Sequence, residues 1–383
     1  MILQISFSGY EYENIYKMFI VYRYMNTRST DLEKILNSYK GLFKKVTKLY
    51  NMIEKLQILY EIYETKLFKT NISQERKMLT NLTSKIMNED DTEVLGTIMG
   101  YLLFIENTDK NERIKYYEIA EKTKRYFQEI ISKAGLYNII KDIDTDPTPI
   151  YISDLSKINN KFGGLHKENL IFINKNILDN LIEDLDILEK ANYEIEFDKK
   201  IADKIVYKLY SIHVIFHELI HHYRYKMISD DKEYYQLYNS YRLFLKENEI
   251  IDPEEFATEA LSLVLLYERF NDIFNKIVNI DNTKKVGMIE YYTLLLLSTN
   301  RGDPYKYGDI FGYFLTLLKR EYRKAYLKKL LTTYELDRLY NLAQKPLDKF
   351  NGKFRETYEI FLKEFKEKAG YNIGDILKIK YNQ

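Results

Sequence analysis

The chain has 383 residues, 37 of them tyrosine, with no cysteine, no tryptophan and only 5 histidines. The missing thiol excludes disulfides, thiolate zinc fingers, iron–sulfur clusters and a cysteine nucleophile, so a metal must be held by histidine, carboxylate or carbonyl oxygen. With 58 Lys+Arg against 57 Asp+Glu the formal net charge is +1, and no global field steers the protein toward nucleic acid or a membrane surface.

From the N-terminus, Met1 to Met25 is interrupted by Gln4, Glu11, Glu13, Asn14 and Lys17 and lacks the apolar run of a secretory signal. No stretch reaches the ~20 apolar residues of a membrane helix, and the expectation is an intracellular protein with no membrane or nucleic-acid partner. The first 146 residues contain no proline. Within them Ile35, Tyr39, Leu42, Val46, Leu49, Ile53, Leu56, Tyr60, Tyr63 and Leu67 alternate spacings of four and three, the seam of a helix packed lengthwise on another. A helix from Leu32 to Leu67 is about 54 Å long. Amphipathic segments follow near 74–106 and 111–134. Residues 1–146 therefore read as an antiparallel helical bundle, with self-association through the helix 31–69 as the alternative.

Asp142 to Pro149 is a polar, proline-bearing break and marks the expected boundary between domains 1–146 and 147–383. Beyond it, 149–153 and Leu170-Ile171-Phe172-Ile173 read as short strands, and Phe162-Gly163-Gly164 as a turn. Asp198 is a plausible N-cap for a helix reaching about Ile228. From Glu254 onward the pattern is helical, with breaks near 279–284, 301–308 and 344–352. The expected class is mainly α with a small β-sheet.

Four of the five histidines fall within ten residues: His213, His217, His221 and His222. His217-Glu218-Leu219-Ile220-His221 is an HExxH motif inside the predicted helix. Residues i and i+4 share a helix face, so His217 and His221 can converge on one zinc ion. Glu218 lies about 100° around the helix, in reach of a water on the metal, and is the expected general base. A zinc site needs a third protein ligand. The helix opening at Asp252-Pro253 carries Glu255 and Glu259 four apart on one face. One of them can ligate while the other accepts the second ring N–H of a histidine; Glu254 is a further candidate.

HExxH followed on a later helix by paired carboxylates resembles the gluzincin zinc metallopeptidases. Glu255-Phe256-Ala257-Thr258-Glu259-Ala260-Leu261 is similar to the third-ligand helix of lethal-factor-type peptidases. The resemblance spans roughly 169–269, about a quarter of the chain. It implies a zincin-like catalytic domain, His217, His221 and Glu255 as zinc ligands, Glu218 as base and Glu259 as the group behind a histidine. Those peptidases often have glycine where this chain has Ile220. The resemblance also implies that a strand ahead of the active helix pairs with substrate backbone, which points to Leu170, Ile171, Phe172 and Ile173. It implies a tyrosine or histidine donor for the tetrahedral oxyanion as well. Tyr305 and Tyr307, in the turn-rich segment 301–308, are the first candidates, ahead of Tyr223 and Tyr241.

His213 reads as a core or cleft-lining histidine, His222 as pointing away and His166 as a loop residue. No GxxxxGK[ST], GxGxxG or GxSxG pattern occurs. The expectation is a zinc-dependent endopeptidase acting on peptide or protein substrates. A zincin fold kept as an inactive binding scaffold is the alternative.

Overall fold

The computed structural model of the protein describes residues 70–86, 92–134, 148–155, 163–182, 186–229, 252–281, 284–299 and 301–332, with positions 55, 58, 59, 62 and 89. These residues are mainly helical with two three-stranded mixed sheets, the expected class. The heptad segment 31–69 apart from positions 55, 58, 59 and 62, most of the boundary segment 142–149, Tyr241 and the break at 344–352 lie outside the described residues. Among the described residues no helix is long and apolar enough to cross a membrane.

The chain divides into two compact units, Met1–Met99 and Gly100–Gln383. In the first, α1 (Ser73–Ile86) buries Met78, Leu79, Leu82 and Ile86 at helical spacing. The predicted helix 74–106 is two helices, because α2 (Thr92–Asn107) starts anew after the polar Asn-Glu-Asp-Asp run at 88–91. The amphipathic segment 111–134, grouped by sequence with the N-terminal bundle, is α3 (Lys110–Lys133), capped by Asp109. It belongs to the second unit. Its Phe127 stacks on Tyr223 at 5.5 Å and meets Phe216 edge-on at 5.4 Å.

The first sheet contains β1 (Ile150–Ser153), β2 (Gly164–Lys167) and β3 (Leu170–Asn174) in the order β1-β3-β2. β1 runs parallel to β3, and β2 antiparallel to it with Leu165 opposite Phe172. The predicted turn at Gly163-Gly164 is thus the start of a strand. Two short helices follow, α4 (Lys175–Ile182) and α5 (Asp186–Ala191). The second sheet is β4 (Glu196–Asp198), β5 (Ile277–Asp281) and β6 (Lys284–Gly287), with β4 parallel and β6 antiparallel to β5.

Helix α6 (Lys199–Ser229) is the axis of this unit. Asp198 caps it by accepting the Ile201 N–H at 2.8 Å. Ile205, Leu209, Ile212, Phe216, Leu219 and Tyr223 are all buried along it. Helix α7 (Pro253–Arg269) lies against it. Asp252 accepts the Glu254 N–H at 2.9 Å and Pro253 fills the first turn, so the start is sharply defined. That start places Glu254 and Glu255 at the positive end of the helix dipole. α8 (Asn271–Phe274) and α9 (Met288–Ser298) follow.

The predicted loop 301–308 turns helical after two residues. Asp303 and Pro304 open α10 (Asp303–Thr316), since proline is tolerated in a first turn. This helix packs tightly on α7. A Cβ on Gly308 would lie 2.8 Å from the Phe256 carbonyl oxygen and 2.6 Å from the Glu259 Cβ, so only glycine permits the approach. α11 (Arg320–Thr332) completes the described chain.

Candidate metal centre

Helix α6 presents His217, Glu218 and His221, α7 presents Glu254, Glu255 and Glu259, and α10 presents Tyr305. Their convergence follows from the α6–α7 packing. His217 Nε2 and His221 Nε2 are 3.0 Å apart, and Glu255 Oε2 is 3.2 Å from each.

The other ring nitrogens are engaged behind this triangle. His217 Nδ1 lies 2.8 Å from Glu259 Oε2, and His221 Nδ1 lies 3.5 Å from Glu254 Oε1. Each backing carboxylate is matched by an arginine. Arg224 holds Glu254 in a bidentate pair at 2.7 Å through Nε and Nη2. Arg301 hydrogen-bonds both Glu259 and Asp309. A carboxylate thus stands behind each Nδ1, although the His217 N–H meets no acceptor at hydrogen-bond angle, and both Nε2 atoms face Glu255. Three lone-pair atoms at these separations repel one another unless protons or a cation lie among them. Tetrahedral ligands about 2.0–2.1 Å from zinc are about 3.3 Å apart, so the triangle fits zinc and the N, N, O donor set suits it.

Burial alone would lower both imidazole pKa values. At His221 the charge of Glu255 and hydrogen bonds to Glu254 and Glu255 outweigh it and hold the metal-free pKa at about 9. At His217 hydrogen bonds to Glu255 and Glu259 likewise raise it well above the usual range. Burial lifts Glu218 above the ordinary carboxylate value, against the pull of His217 and His221. The Arg224 charge overcomes burial to hold Glu254 ionised, and Arg301 does the same for Glu259.

The three carboxylates that sequence left open thus take different places. Glu255 is the third vertex, Glu259 stands behind His217 and Glu254 behind His221. His213, Glu259 and Asp309 form a second close cluster, but Arg301 already supplies its cation. His213 is a satisfied core residue, with Nδ1 2.9 Å from the Tyr292 hydroxyl and Nε2 2.7 Å from Ser262 Oγ.

No protein-family model, curated protein or solved structure matches this chain. The chemistry is therefore read from the site alone.

Tyr305 stands beside His217, its ring 5.7 Å from the imidazole and the Arg301 guanidinium 5.8 Å from its own centre. The Glu255 charge, then burial, raise its pKa far enough to keep the phenol protonated as a donor. Tyr307 is on the same helix, but its side chain lies outside those described. Tyr223 is in the core against Phe127.

The strand expectation needs correction. Leu170, Ile171, Phe172 and Ile173 form β3, the central strand, paired with β1 on one side and β2 on the other. Both its hydrogen-bonding edges are used, so it has none left for a substrate. The strand beside the HExxH segment of α6 is β2, whose outer edge meets no strand among the described residues. Asn174 N–H donates to Gly163 C=O at 2.9 Å, so in antiparallel alternation Gly164 and His166 turn their backbone groups to that outer edge. A Cβ on Gly164 would lie 2.7 Å from Glu218 Cγ and 2.8 Å from its Oε1. The bare backbone of β2 thus forms one wall of the Glu218 seat. His166 reaches the same helix face, its ring 6.3 Å from His221 and 5.5 Å from His222. It is a strand residue, not a loop residue.

Sequence reasoning missed Arg224, Arg301, Asp309 and Gly164. The first two are charged residues whose site partners lie 30 and 42 positions away, and no local pattern marks them. The doubled glycine at 163–164 was the one available signal for close approach.

Proposed function

We propose that the protein is a zinc-dependent endopeptidase of gluzincin type. The observation that carries this reading is the triangle of His217 Nε2, His221 Nε2 and Glu255 Oε2, with both Nδ1 atoms facing ionised carboxylates and Glu218 adjacent on the same helix. His217, His221 and Glu255 would hold the zinc ion, which would supply Lewis acidity and make water nucleophilic near neutral pH. Glu218 accepts the proton of the attacking water and returns it to the departing amine. Its burial and the Gly164 wall hold the carboxylate in one place for both transfers. The protonated Tyr305 donates its O–H to the oxygen that gains charge in the tetrahedral transition state. Glu259 and Glu254 orient the two imidazoles, and Arg301 and Arg224 keep those carboxylates ionised. An extended peptide adds to the outer edge of β2 through the backbone groups of Gly164 and His166; β3 has no such role.

The test is cleavage of a mixed peptide library by zinc-loaded wild type and Glu218→Gln protein. Wild type is expected to cut internal bonds and the variant to bind zinc but not cut. Equal cleavage by both rejects Glu218 as base. Zinc binding without cleavage in either identifies a scaffold.

A further inference from the structure

Arg269 lies 14 residues along α7 from Glu255, about 21 Å away at 1.5 Å per residue. There the C-terminal ends of α3 and α7 meet the start of α11. Ile130, Lys133, Ala134, Glu268, Arg269, Arg320 and Lys324 line a cavity of ≈ 80 Å³, several times the space an ordered water needs. Four of these residues are cations and one is an acid. That acid is engaged: Glu268 accepts from Arg323 Nε at 2.5 Å and stands 3.8 Å from Arg320 Nε. Among the described residues no carboxylate pairs with Lys133, Arg269 or Lys324.

Two further observations show that the positive charge is not balanced within the fold. Arg269 Nε is buried and has no acceptor. Its guanidinium rests 4.4 Å from the centre of the Tyr126 ring and 5.1 Å from that of Phe270. Those rings fix its plane but accept no in-plane N–H bond. Arg320 opens α11, where the helix dipole is positive and a cation is disfavoured, and Lys324 follows one turn on, where the dipole gives it no support. Lys133 and Arg269 end their helices, where a cation is favoured, so dipole matching accounts for them and not for the α11 pair. A protein of net charge +1 has thus gathered four cations from three helices around one hollow.

We propose that this cavity binds a phosphate group, as inorganic phosphate or as the phosphate of a phosphorylated residue. A carboxylate is served by one arginine fork; a hollow lined by Lys133, Arg269, Arg320 and Lys324 from three helices suits a tetrahedral dianion. The site stands apart from the metal centre and does not rest on the peptidase reading.

The experiment is calorimetric titration of the full chain at fixed ionic strength with inorganic phosphate, phosphoserine and N-acetylaspartate in turn. Wild type is expected to bind phosphate or phosphoserine saturably at one site, and the tighter of the two names the source. Lys324→Gln is expected to weaken that binding about tenfold or more, the scale of one lost charge-assisted hydrogen bond. Arg269→Gln is expected to do the same. The Lys324→Gln result decides alone if loss of the Tyr126 stacking unfolds the Arg269 variant. His217→Ala is expected to leave phosphate binding unchanged, which separates this site from the metal centre. Absence of saturable binding, equal affinity in Lys324→Gln, loss in His217→Ala, or N-acetylaspartate binding as tightly as phosphate each overturns the proposal.

Discussion

Gly164→Ala isolates the seat of the proposed base. No left-handed backbone angle protects this glycine. On backbone grounds alone, alanine would stabilise the strand by about 0.4–1 kcal/mol. The added methyl, however, would lie 2.7 Å from Glu218 Cγ, 2.8 Å from Oε1 and 3.0 Å from Cδ. Ordinary carbon–carbon contact begins near 3.5 Å, so Glu218 must move by about 0.8 Å. A side chain yields more readily than paired strand backbone, so the fold survives and the carboxylate moves. Misplacement of a reacting group on that scale costs up to about a hundredfold in rate. The assay is steady-state cleavage of a fluorogenic peptide selected from a library, run beside zinc analysis and thermal melting. The expected result is kcat reduced by about ten- to a hundredfold, KM little changed, one zinc per chain and a melting temperature within a few degrees of wild type. A variant with wild-type kcat would refute the idea that β2 seats Glu218. A variant that loses zinc would show that the strand positions the ligands instead.

Other outcomes follow from the same geometry. Tyr305→Phe is expected to lower kcat by about a hundred- to a thousandfold with zinc content unchanged; a wild-type rate would remove Tyr305 from the reaction. Arg224→Met leaves Glu254 buried without its partner and is expected to reduce unfolding free energy by about 3–5 kcal/mol in denaturant titration. A loss under about 1 kcal/mol would mean that Glu254 is not held ionised. The metal-free protein should show a pH signature from His221, whose folded pKa of about 9 exceeds the unfolded value of about 6.5. That stabilisation is complete below pH ~6.5 and is lost as pH rises through ~9. Melting temperature after chelation should therefore fall across that window while zinc-loaded protein changes less, because metal binding replaces the proton. Parallel curves for the two forms would contradict this.

Much of the site was legible because its signals are local. His217, Glu218 and His221 lie within five residues, and Glu255 and Glu259 are one helical turn apart. Asp198 and Asp252 announce the helices that carry them. β1 and β3 were readable from β-branched and aromatic runs. What escaped depends on distant partners. β2 has the composition of a turn, Gly-Leu-His-Lys, and is a strand only because β3 pairs with it and its glycine fits against Glu218. Arg301-Gly302-Asp303-Pro304 has loop composition, yet proline in a first turn starts a helix once Gly308 lets that helix settle on α7. Glu254 is only a further ligand candidate by sequence, and its place behind His221 depends on the distant Arg224. The Leu170–Ile173 role failed for a related reason: a strand's sequence does not say whether its edges are free.

The central claim is that His217, His221 and Glu255 hold one zinc ion. Elemental analysis of protein purified without chelators tests it most directly, with His217→Ala as the comparison. One zinc per chain in wild type and none in the variant is the predicted result. Wild-type protein that carries no zinc, and takes up none at stoichiometric addition, would contradict the account.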